Sequence, residues 1–386
     1  MKRGAILCLL LLVLVGCSDS KKDIKKNNKD DEVIEKDKSV RFMAVGDNLI
    51  HGAIYHSCYS NNSYNFDYTF ENIKEDIKNA DIAYINQETI LGGKALGLSH
   101  YPMFNSPEEV AESINKYGFD WVNMATNHTL DKGEVGVLNA INTFRKYPNI
   151  TTTGAHDSLK DSEKLKVIER NGIKVGVLSY TYGTNGITVP SGKDYLVDLI
   201  DKDKIANDIS KLKKVSDVIV VNMHWGAEDN FIQNEEQEEL AQFLADQGVL
   251  VVIGMHPHVI QPAEYINGKD GNKTLVYYSL GNYISAQDDK RNMIGAMAKW
   301  DIIKDGKTGK YRVDNAQFIP TITHYDIGYK NFTTYTFDDY NETLASKHHI
   351  NSIYGASYFT KQYVNDKVAE VMNGVSEDIK VAIDRR

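Results

Sequence analysis

Five polar motifs recur along the chain, each placed where a short apolar run ends. The runs have the length and the Val/Ile content of buried strands. In an open α/β sheet, the carboxyl ends of the strands face one crevice, so side chains placed there converge. The motifs are Gly46-Asp47 with His51, Asn86-Gln87-Glu88, Thr126-Asn127-His128, His224-Trp225-Gly226 and His256-Pro257-His258. This pattern predicts an α/β fold with one polar site at the strand ends.

The residue types in these motifs favour a divalent metal site. Carboxylate oxygens, amide oxygens and imidazole nitrogens are the ligands of hard to borderline divalent ions. His256-Pro257-His258 is the strongest local signal, because a rigid proline holds two imidazoles where they can bind one ion or two neighbouring ions. His224 ends a strand, and Glu228 follows as a carboxylate that can orient it. The sequence therefore predicts a metallohydrolase.

Several of these residues have a structural explanation when each is taken alone. Asp47 could cap the turn after its strand, and Glu88 could be a solvated carboxylate behind a turn-capping Asn86. His51 could reach the ion if a helical turn begins at Asp47, or it could lie on the surface. The functional interpretation of these residues therefore rests on the whole set of motifs and not on any one of them.

The third motif also predicts a proton-transfer residue. Asn127 can bind an ion through its amide oxygen, which leaves His128 free to act as an acid or a base. Asp131 comes three residues after His128, so one helical turn would place the two side chains together. The carboxylate would then fix the tautomer of the imidazole. The alternative is a helix-capping Asn beside an exposed His.

The first residues resemble an export signal. Lys2-Arg3 precedes an apolar stretch, residues 5–15, that is too short to span a membrane. The stretch ends in Leu14-Val15-Gly16-Cys17, which resembles a bacterial lipoprotein lipobox, so we expect cleavage after residue 16 and lipidation of Cys17. An ordinary signal peptide with a chance cysteine is the alternative. Cys8 would leave with the signal, and Cys58 would be the remaining thiol, so no intrachain disulfide is expected.

The rest of the chain divides into three segments. Residues 17–39, rich in Lys, Asp and Asn, cannot bury enough apolar surface to fold and are predicted to form a disordered tether. Residues 40–325 carry the motifs, and residues 326–386 are predicted to be a C-terminal extension of loop and helix. The formal net charge is −9. This balance argues against a nucleic-acid-binding surface, which needs clustered Lys and Arg.

Within residues 40–325, strand and helix patterns alternate. This alternation predicts a mostly parallel sheet with helices against it, while the less regular late strands form a second sheet. Ser106 followed by Pro107 and Glu109 predicts a capped helix start. Helices are predicted at residues 66–79, 106–117, 133–147, 203–215 and 234–247. Strands beyond those of the motifs are predicted at residues 174–179, 274–279, 293–303 and 311–319.

Taken in order, the motifs resemble those of the calcineurin-like metallophosphoesterase superfamily and, more closely, the poly-γ-glutamate capsule-synthesis CapA family. The resemblance covers about residues 40–325. It is carried by Val45-Gly46-Asp47-Asn48-Leu49-Ile50-His51, Asn86-Gln87-Glu88-Thr89, Asn123-Met124-Ala125-Thr126-Asn127-His128-Thr129-Leu130-Asp131-Lys132-Gly133, His224-Trp225-Gly226-Ala227-Glu228, Gly254-Met255-His256-Pro257-His258 and Ser279-Leu280-Gly281-Asn282-Tyr283. It implies a four-layer α/β/β/α metallophosphoesterase-like sandwich and a role in capsule synthesis.

The same resemblance implies residue roles. His128 looks like the acid/base residue with Asp131 beside it, and His51, Asn86, Glu228 and Asn282 are further candidates for the site. The chain departs from typical phosphoesterases, because His51 is four residues after Asp47 instead of two and Glu88 stands where Asp is usual. The implied ligands of one or two divalent ions (Mn, Fe or Zn) are Asp47, Glu88, Asn127, His224, His256 and His258.

Two functions remain open from the sequence. The first is a divalent-metal-dependent hydrolase or transferase of poly-γ-glutamate-like capsule biosynthesis, lipid-anchored on the extracytoplasmic face of the bacterial cell membrane. The second is a non-catalytic assembly or polymer-handling partner of a membrane polymer synthase. The expected partners are an anionic exopolymer or its precursor, membrane synthase subunits, and the membrane itself through the N-terminal lipid.

Overall fold

Strand pairing divides the described part of the chain, residues 36–383 of a computed structural model, into two large sheets and a small hairpin. The predicted lipobox, Cys17 and nearly all of the predicted tether lie outside the described residues. The hairpin pairs β2 (Tyr59–Ser60) with β3 (Ser63–Tyr64). The described residues belong to one compact unit.

The larger sheet, sheet A, is built around the first strand of the chain. Its strands follow the order β16-β15-β14-β1-β4-β5-β6, with β13 paired to β1 and β17 paired to β15. The strands β1, β4, β5 and β6 are parallel, whereas β14, β15 and β16 are antiparallel. Sheet A comprises β1 (Lys38–Asn48), β4 (Ile82–Asn86), β5 (Trp121–Asn123), β6 (Thr151–Thr153), β13 (Asn282–Ile284), β14 (Ile294–Lys304), β15 (Tyr311–Asp326), β16 (Lys330–Thr336) and β17 (Lys380–Val381).

The second sheet, sheet B, comes from the middle of the chain. Its order is β11-β12-β10-β9-β8-β7, and its four central strands are parallel. Sheet B comprises β7 (Val167–Arg170), β8 (Ile173–Thr181), β9 (Val218–His224), β10 (Val251–Met255), β11 (Ala263–Asn267) and β12 (Lys273–Tyr277).

Short helices connect the strands. Three 3-10 turns supplement them at Glu71–Ile73, Lys94–Leu96 and Asp194–Leu196. The α-helices are α1 (Gly52–Ser57), α2 (Asp67–Phe70), α3 (Lys74–Asn79), α4 (Glu109–Tyr117), α5 (Gly133–Phe144), α6 (Leu159–Ser162), α7 (Lys202–Leu212), α8 (Glu235–Asp246), α9 (Glu342–Lys347), α10 (His349–Tyr354) and α11 (Lys361–Val371). None of the helices in residues 36–383 is both long enough and apolar enough to cross a membrane.

Alternate residues of sheet B face two different apolar cores. Val220 and Ile253 join the core that sheet B shares with sheet A, whereas Val221 and Val252 join a second core with α7 and α8. Successive side chains of a strand point to opposite faces, so sheet B lies between sheet A and its own helices. With α4 and α5 packed into the core of sheet A, the molecule has the predicted four-layer α/β/β/α arrangement.

The structure corrects the predicted strand partners. The late strands β14 and β15 do not form a second sheet, because β14 pairs antiparallel with β1 and so extends sheet A. The second sheet is formed instead by the middle strands, including the predicted ones at residues 174–179 and 274–279. The chain after residue 325 also contributes an unpredicted strand, β16, which pairs with β15. Apolar alternation identifies a strand but does not select its neighbour.

Two predicted helices also differ from the structure. The pattern at residues 66–79 forms α2 and α3 with a 3-10 turn between them, which places Phe70 and Ile73 on the same buried face. The helix predicted from residue 106 begins at Glu109, and its cap is Glu108. The hydroxyl of Ser106 is buried and donates to Thr89 Oγ1 at 2.8 Å, so it is not a helix cap.

Candidate metal centre

The strand-end motifs of both sheets meet in one buried cluster of side chains. Asp47 is the second-last residue of β1, and the next helix begins only at Gly52. The explanation of Asp47 as a cap is therefore wrong. Its Oδ1 accepts a hydrogen bond from Asn86 Nδ2 at 2.6 Å, and its Oδ2 lies 3.0 Å from His258 Nδ1. Gly46 permits this position, because a Cβ there would lie 1.9 Å from the Gly281 carbonyl oxygen. The two distant motifs are therefore in direct contact.

Glu88 is buried without a hydrogen-bond partner. Its side chain is 1% exposed, and neither carboxylate oxygen has a partner within the described residues. Burial raises the pKa of Glu88 well above its usual value, because the charged form loses its hydration. One oxygen lies 3.5 Å from His258 Nε2 and 3.7 Å from His224 Nε2. A cation between these groups would supply the missing partner, so the residues fit a metal ion.

Three groups of potential ligand atoms occur in the described part of the chain, each with its atoms within 4.8 Å of one another. Two groups are wholly buried and share Glu88, and the third adds the exposed side chain of Glu228 at the rim. The groups are Asp47–Glu88–His258, Glu88–His224–His256 and Glu228–His256–His258. A shared carboxylate can hold one ion or bridge two, so this arrangement is compatible with either count.

Two of the histidines are held in the neutral form that binds metals. Burial and the neighbouring imidazoles lower the pKa of His224 and of His256 well below the usual value. His224 Nε2 lies 2.9 Å from Asn127 Oδ1, and the buried Nδ1 of His256 has no hydrogen-bond partner among the described residues. Nδ1 of His256 is therefore not engaged by the protein and could bind an ion in the tautomer that leaves it unprotonated.

His258 is in a different electrostatic state. Burial opposes its protonation, but Glu88 and Asp47 outweigh that effect and raise the pKa of His258 to about 10. Its Nδ1 is also 3.1 Å from Asn282 Oδ1, so Asn282 helps to orient the ring. A protonated His258 would lie between the carboxylates of Asp47 and Glu88. A bound ion would require the neutral form of His258, because a histidine ligand must be neutral.

His128 and Asp131 form the contact that their spacing predicts. His128 Nδ1 lies 2.7 Å from Asp131 Oδ2, and the same oxygen accepts from the backbone N–H of Phe104 at 2.6 Å. The ring of Phe104 packs edge-on against His128 with the centroids 4.7 Å apart. His128 is 5% exposed, which is incompatible with the alternative of an exposed histidine.

The remaining candidates lie around this centre. His51 belongs to none of the three ligand groups found in residues 36–383. Burial lowers the pKa of His51 to about 4. Its ring contacts that of Phe104, with the two centroids 5.2 Å apart. Asn86 donates to Asp47 and accepts from Asn123 Nδ2 at 2.6 Å. Asn86 and Asn123 thus position the Asp47 carboxylate through a chain of amide hydrogen bonds.

The last motif contains two histidines with strained backbone conformations. His256 has a φ of 100° and His258 a φ of 58°, a region that residues with a Cβ rarely adopt. Such conformations cost about 1–3 kcal/mol each and persist where the surrounding structure imposes them. The proline between two histidines indicated a metal site at this segment, but it did not predict the positive φ angles.

Sequence reasoning missed residues in the turn after β8. Tyr182 places its ring 4.6 Å from that of His256, and Asn185 Oδ1 accepts from Asn127 Nδ2 at 3.2 Å. The dipeptide Asn185-Gly186 is typical of tight turns and could have identified the turn, though not its contact with the site.

The two-sheet sandwich with its histidine- and carboxylate-lined strand ends has the metallophosphoesterase-like architecture that the motifs implied. A narrower assignment follows from the match of residues 41–287 to the family described as bacterial capsule synthesis protein PGA_cap. The chain belongs to this family, which confirms the resemblance carried by the motifs.

Two curated relatives have corresponding names. The PGA biosynthesis protein CapA of Bacillus subtilis (strain 168) is 31% identical over 214 residues, which are 53% of this chain and 53% of the relative. The capsule biosynthesis protein CapA of Bacillus anthracis is 28% identical over 257 residues, which are 64% of this chain and 60% of the relative. The match thus spans little more than half the length of each relative.

Solved structures with partial similarity have much lower identities. A putative 5′-nucleotidase from Staphylococcus aureus is 19% identical with a TM-score of 0.47, over 73% of this chain and 54% of that one. The calcineurin-like phosphoesterase YfkN from Bacillus subtilis is 15% identical with a TM-score of 0.45, over 85% of this chain and 99% of that one.

Proposed function

We propose that this member of the capsule-synthesis family is a divalent-metal-dependent hydrolase or transferase that acts on a capsule polymer or its precursor. The observation that carries the proposal is the carboxylate of Glu88, which is buried among three histidines with no hydrogen-bond partner. A buried carboxylate without a partner costs stability. Its retention is explained if a cation binds there.

The proposed ligands are the residues that meet in the two buried groups. One or two divalent ions would be held by Asp47, Glu88, Asn127, His224, His256 and His258. A bound divalent ion supplies Lewis-acid activation of water and of the bond to be cleaved. Asn86 and Asn282 hold Asp47 and His258 in position through hydrogen bonds.

His128 is proposed to transfer the proton. Asp131 accepts a hydrogen bond from Nδ1 of His128, which assigns the proton to Nδ1 and leaves Nε2 to exchange a proton with the substrate. The backbone N–H of Phe104 fixes the same carboxylate oxygen, and the ring of Phe104 restricts rotation of the imidazole. The pair is therefore set before any substrate arrives, which is what general acid–base catalysis needs.

We further propose that the protein works at the cell envelope. The lipobox-like segment ending at Cys17 and the polar residues 17–39 support a lipid-anchored protein on the extracytoplasmic face of the membrane. The proposed partners there are an anionic exopolymer or its precursor and the subunits of a membrane synthase. These assignments extend what the family name states.

A second candidate function is a non-catalytic assembly or polymer-handling partner of a membrane synthase. The observation that favours it is the close burial of the proposed ligands, since Asp47, His224 and His258 are at most 4% exposed. Such burial leaves little of these side chains accessible to a polymer. A metal at this centre would then stabilise the fold without turnover.

The two functions are separated by measuring metal content and turnover on the same preparations. The protein is stripped with a chelator, reloaded with Mn²⁺, Fe²⁺ or Zn²⁺, and assayed on phosphodiester and γ-glutamyl substrates. The matched control for a ligand variant, His256→Ala, is His56→Ala, which changes an exposed histidine of α1. Metal-dependent turnover that His256→Ala loses and His56→Ala keeps supports the enzyme. Metal binding without turnover of either substrate class supports the assembly role.

A further inference from the structure

A turn outside the five strand-end motifs reaches into the candidate metal centre. It follows β8, and Ile187 N donates to Thr184 O at 2.9 Å while the hydroxyl of Thr184 donates to Ile187 O at 2.6 Å. The central residues Asn185 and Gly186 have φ angles of 50° and 76°, which asparagine and glycine adopt more readily than other residues. The turn is closed by two hydrogen bonds, so the side chain of Asn185 starts from a defined backbone position.

The side chain of Asn185 contacts the amide of Asn127. Asn127 Nδ2 donates to Asn185 Oδ1 at 3.2 Å, and the hydroxyl of Tyr182 approaches the same oxygen at 3.4 Å. At the other end of the Asn127 amide, Oδ1 faces His224 Nε2 at 2.9 Å. The amide is thus held with its nitrogen towards the turn and its oxygen towards the other proposed ligands.

This orientation matters because the two ends of an amide have almost the same shape but opposite chemistry. The oxygen can bind a cation, whereas the NH₂ group is a hydrogen-bond donor. Asn185 Oδ1 can only accept, so it selects the nitrogen end of Asn127. If Asn127 were flipped, two oxygens would face each other across this contact.

Asn185 also lies near His128, but it does not form a hydrogen bond with that residue. Asn185 Nδ2 lies 3.5 Å from His128 Nδ1, but that nitrogen already donates to Asp131 at 2.7 Å. A protonated ring nitrogen cannot also accept a hydrogen bond from Asn185. The effective contact of Asn185 is therefore the one with Asn127.

We propose that Asn185 is a positioning residue of the metal centre, which holds the Asn127 amide with its oxygen towards the bound ion. This inference rests on the proposed function, in which the centre binds a divalent ion. Hydrogen-bonded neighbours of metal ligands typically contribute about 10–100-fold to metal affinity. We therefore expect Asn185 to change metal affinity while leaving the metal-free fold intact.

The test is the Mn²⁺ affinity of the full mature chain, measured for wild type and Asn185→Gly. Glycine removes the side chain without strain at a positive φ. The matched control is Asn171→Gly, because Asn171-Gly172 forms the same kind of turn between β7 and β8, with φ angles of 53° and 73°, and its amide donates to Ser39 O. We expect about tenfold weaker Mn²⁺ binding for Asn185→Gly, no change for the control, and equal melting temperatures for both variants in chelator.

Two further variants identify the mechanism. In an Asn127→Ala background, Asn185→Gly should change the affinity by less than about twofold, because its partner is gone. Asn185→Asp keeps an accepting oxygen and a residue that tolerates positive φ, so it should bind Mn²⁺ within about threefold of wild type or more tightly.

Three results would overturn the inference. They are wild-type Mn²⁺ affinity in Asn185→Gly, an equal loss of affinity from Asn185→Gly in the wild-type and Asn127→Ala backgrounds, or Mn²⁺ binding by Asn185→Asp as weak as that of Asn185→Gly. A wild-type protein that binds no Mn²⁺ at all would instead overturn the proposed function on which the inference rests.

Discussion

Glu88→Gln separates the cost of the buried carboxylate from its use as a ligand. The substitution keeps the size of the side chain and removes the charge shared by the two buried ligand groups. Neither oxygen of Glu88 has a hydrogen-bond partner in the described structure, so no hydrogen bond within the protein is lost. We expect the metal-free variant to be as stable as wild type within about 1 kcal/mol, or more stable.

The effect should appear when metal is added. At a concentration one hundred times Kd, an ion that binds only the folded state stabilises wild type by about 2.7 kcal/mol. A variant that binds about a hundredfold more weakly gains only about 0.4 kcal/mol at the same concentration. At about 2 °C per kcal/mol for a large domain, the metal-induced shift in Tm should differ by about 5 °C.

The assay is thermal unfolding of both proteins with chelator and with Mn²⁺. Glu75→Gln is the matched control, because Glu75 is an exposed carboxylate in α3. A metal-induced Tm shift of wild-type size in Glu88→Gln would refute the role of Glu88 as a shared ligand. A loss of several kcal/mol in the metal-free variant would show that Glu88 stabilises the fold in a way that the contacts do not explain.

The other predictions concern proton transfer, the anchor and acid stability. If the protein is catalytic, His128→Ala should lose about 10²–10⁴-fold in rate but keep its metal, whereas His256→Ala should lose both metal and activity. Asp131→Asn should have an activity between those of the two variants, because it disturbs only the orientation of His128. Metal content and activity measured on each preparation test this prediction. Cys17→Ala should yield an uncleaved or soluble precursor, as measured by detergent partitioning and mass spectrometry of the N-terminus. Burial lowers the pKa of His348 to about 3, while its Nε2 donates to Thr323 O at 2.9 Å. Because the unfolded chain binds this proton more readily below pH 6.5, stability should fall between pH 6.5 and 3 by up to about 4 kcal/mol, and chemical denaturation should show a shallower fall in His348→Gln.

Each of these has a result that contradicts it. Normal turnover in His128→Ala would refute the acid/base role of His128. A mature protein without lipid, cut at another residue, would end the lipoprotein hypothesis. An unchanged pH dependence in His348→Gln would show that other groups control acid unfolding.

Local sequence was sufficient for features that depend on neighbours along the chain. The capped start of α8 was predictable, since Asn234 and Gln237 exchange hydrogen bonds across one turn. The contact of His128 with Asp131 follows from three-residue spacing. The strand-end position of the five motifs likewise followed from apolar runs that end in polar residues, and it located the site without a structure.

Tertiary structure decided what depends on partners distant in sequence. The pairing of β14 with β1, the contact of Asp47 with His258 and the approach of Asn185 to Asn127 each join segments that no local pattern relates. Helix caps and spacing act within a few residues, whereas strand neighbours, burial and positive φ angles are set by the packing of the whole sheet sandwich. The sequence alone therefore identified the proposed metal ligands but not Tyr182 or Asn185. Only the packing of the two sheets determined which side chains touch and that the Glu88 carboxylate has no hydrogen-bond partner in the described structure.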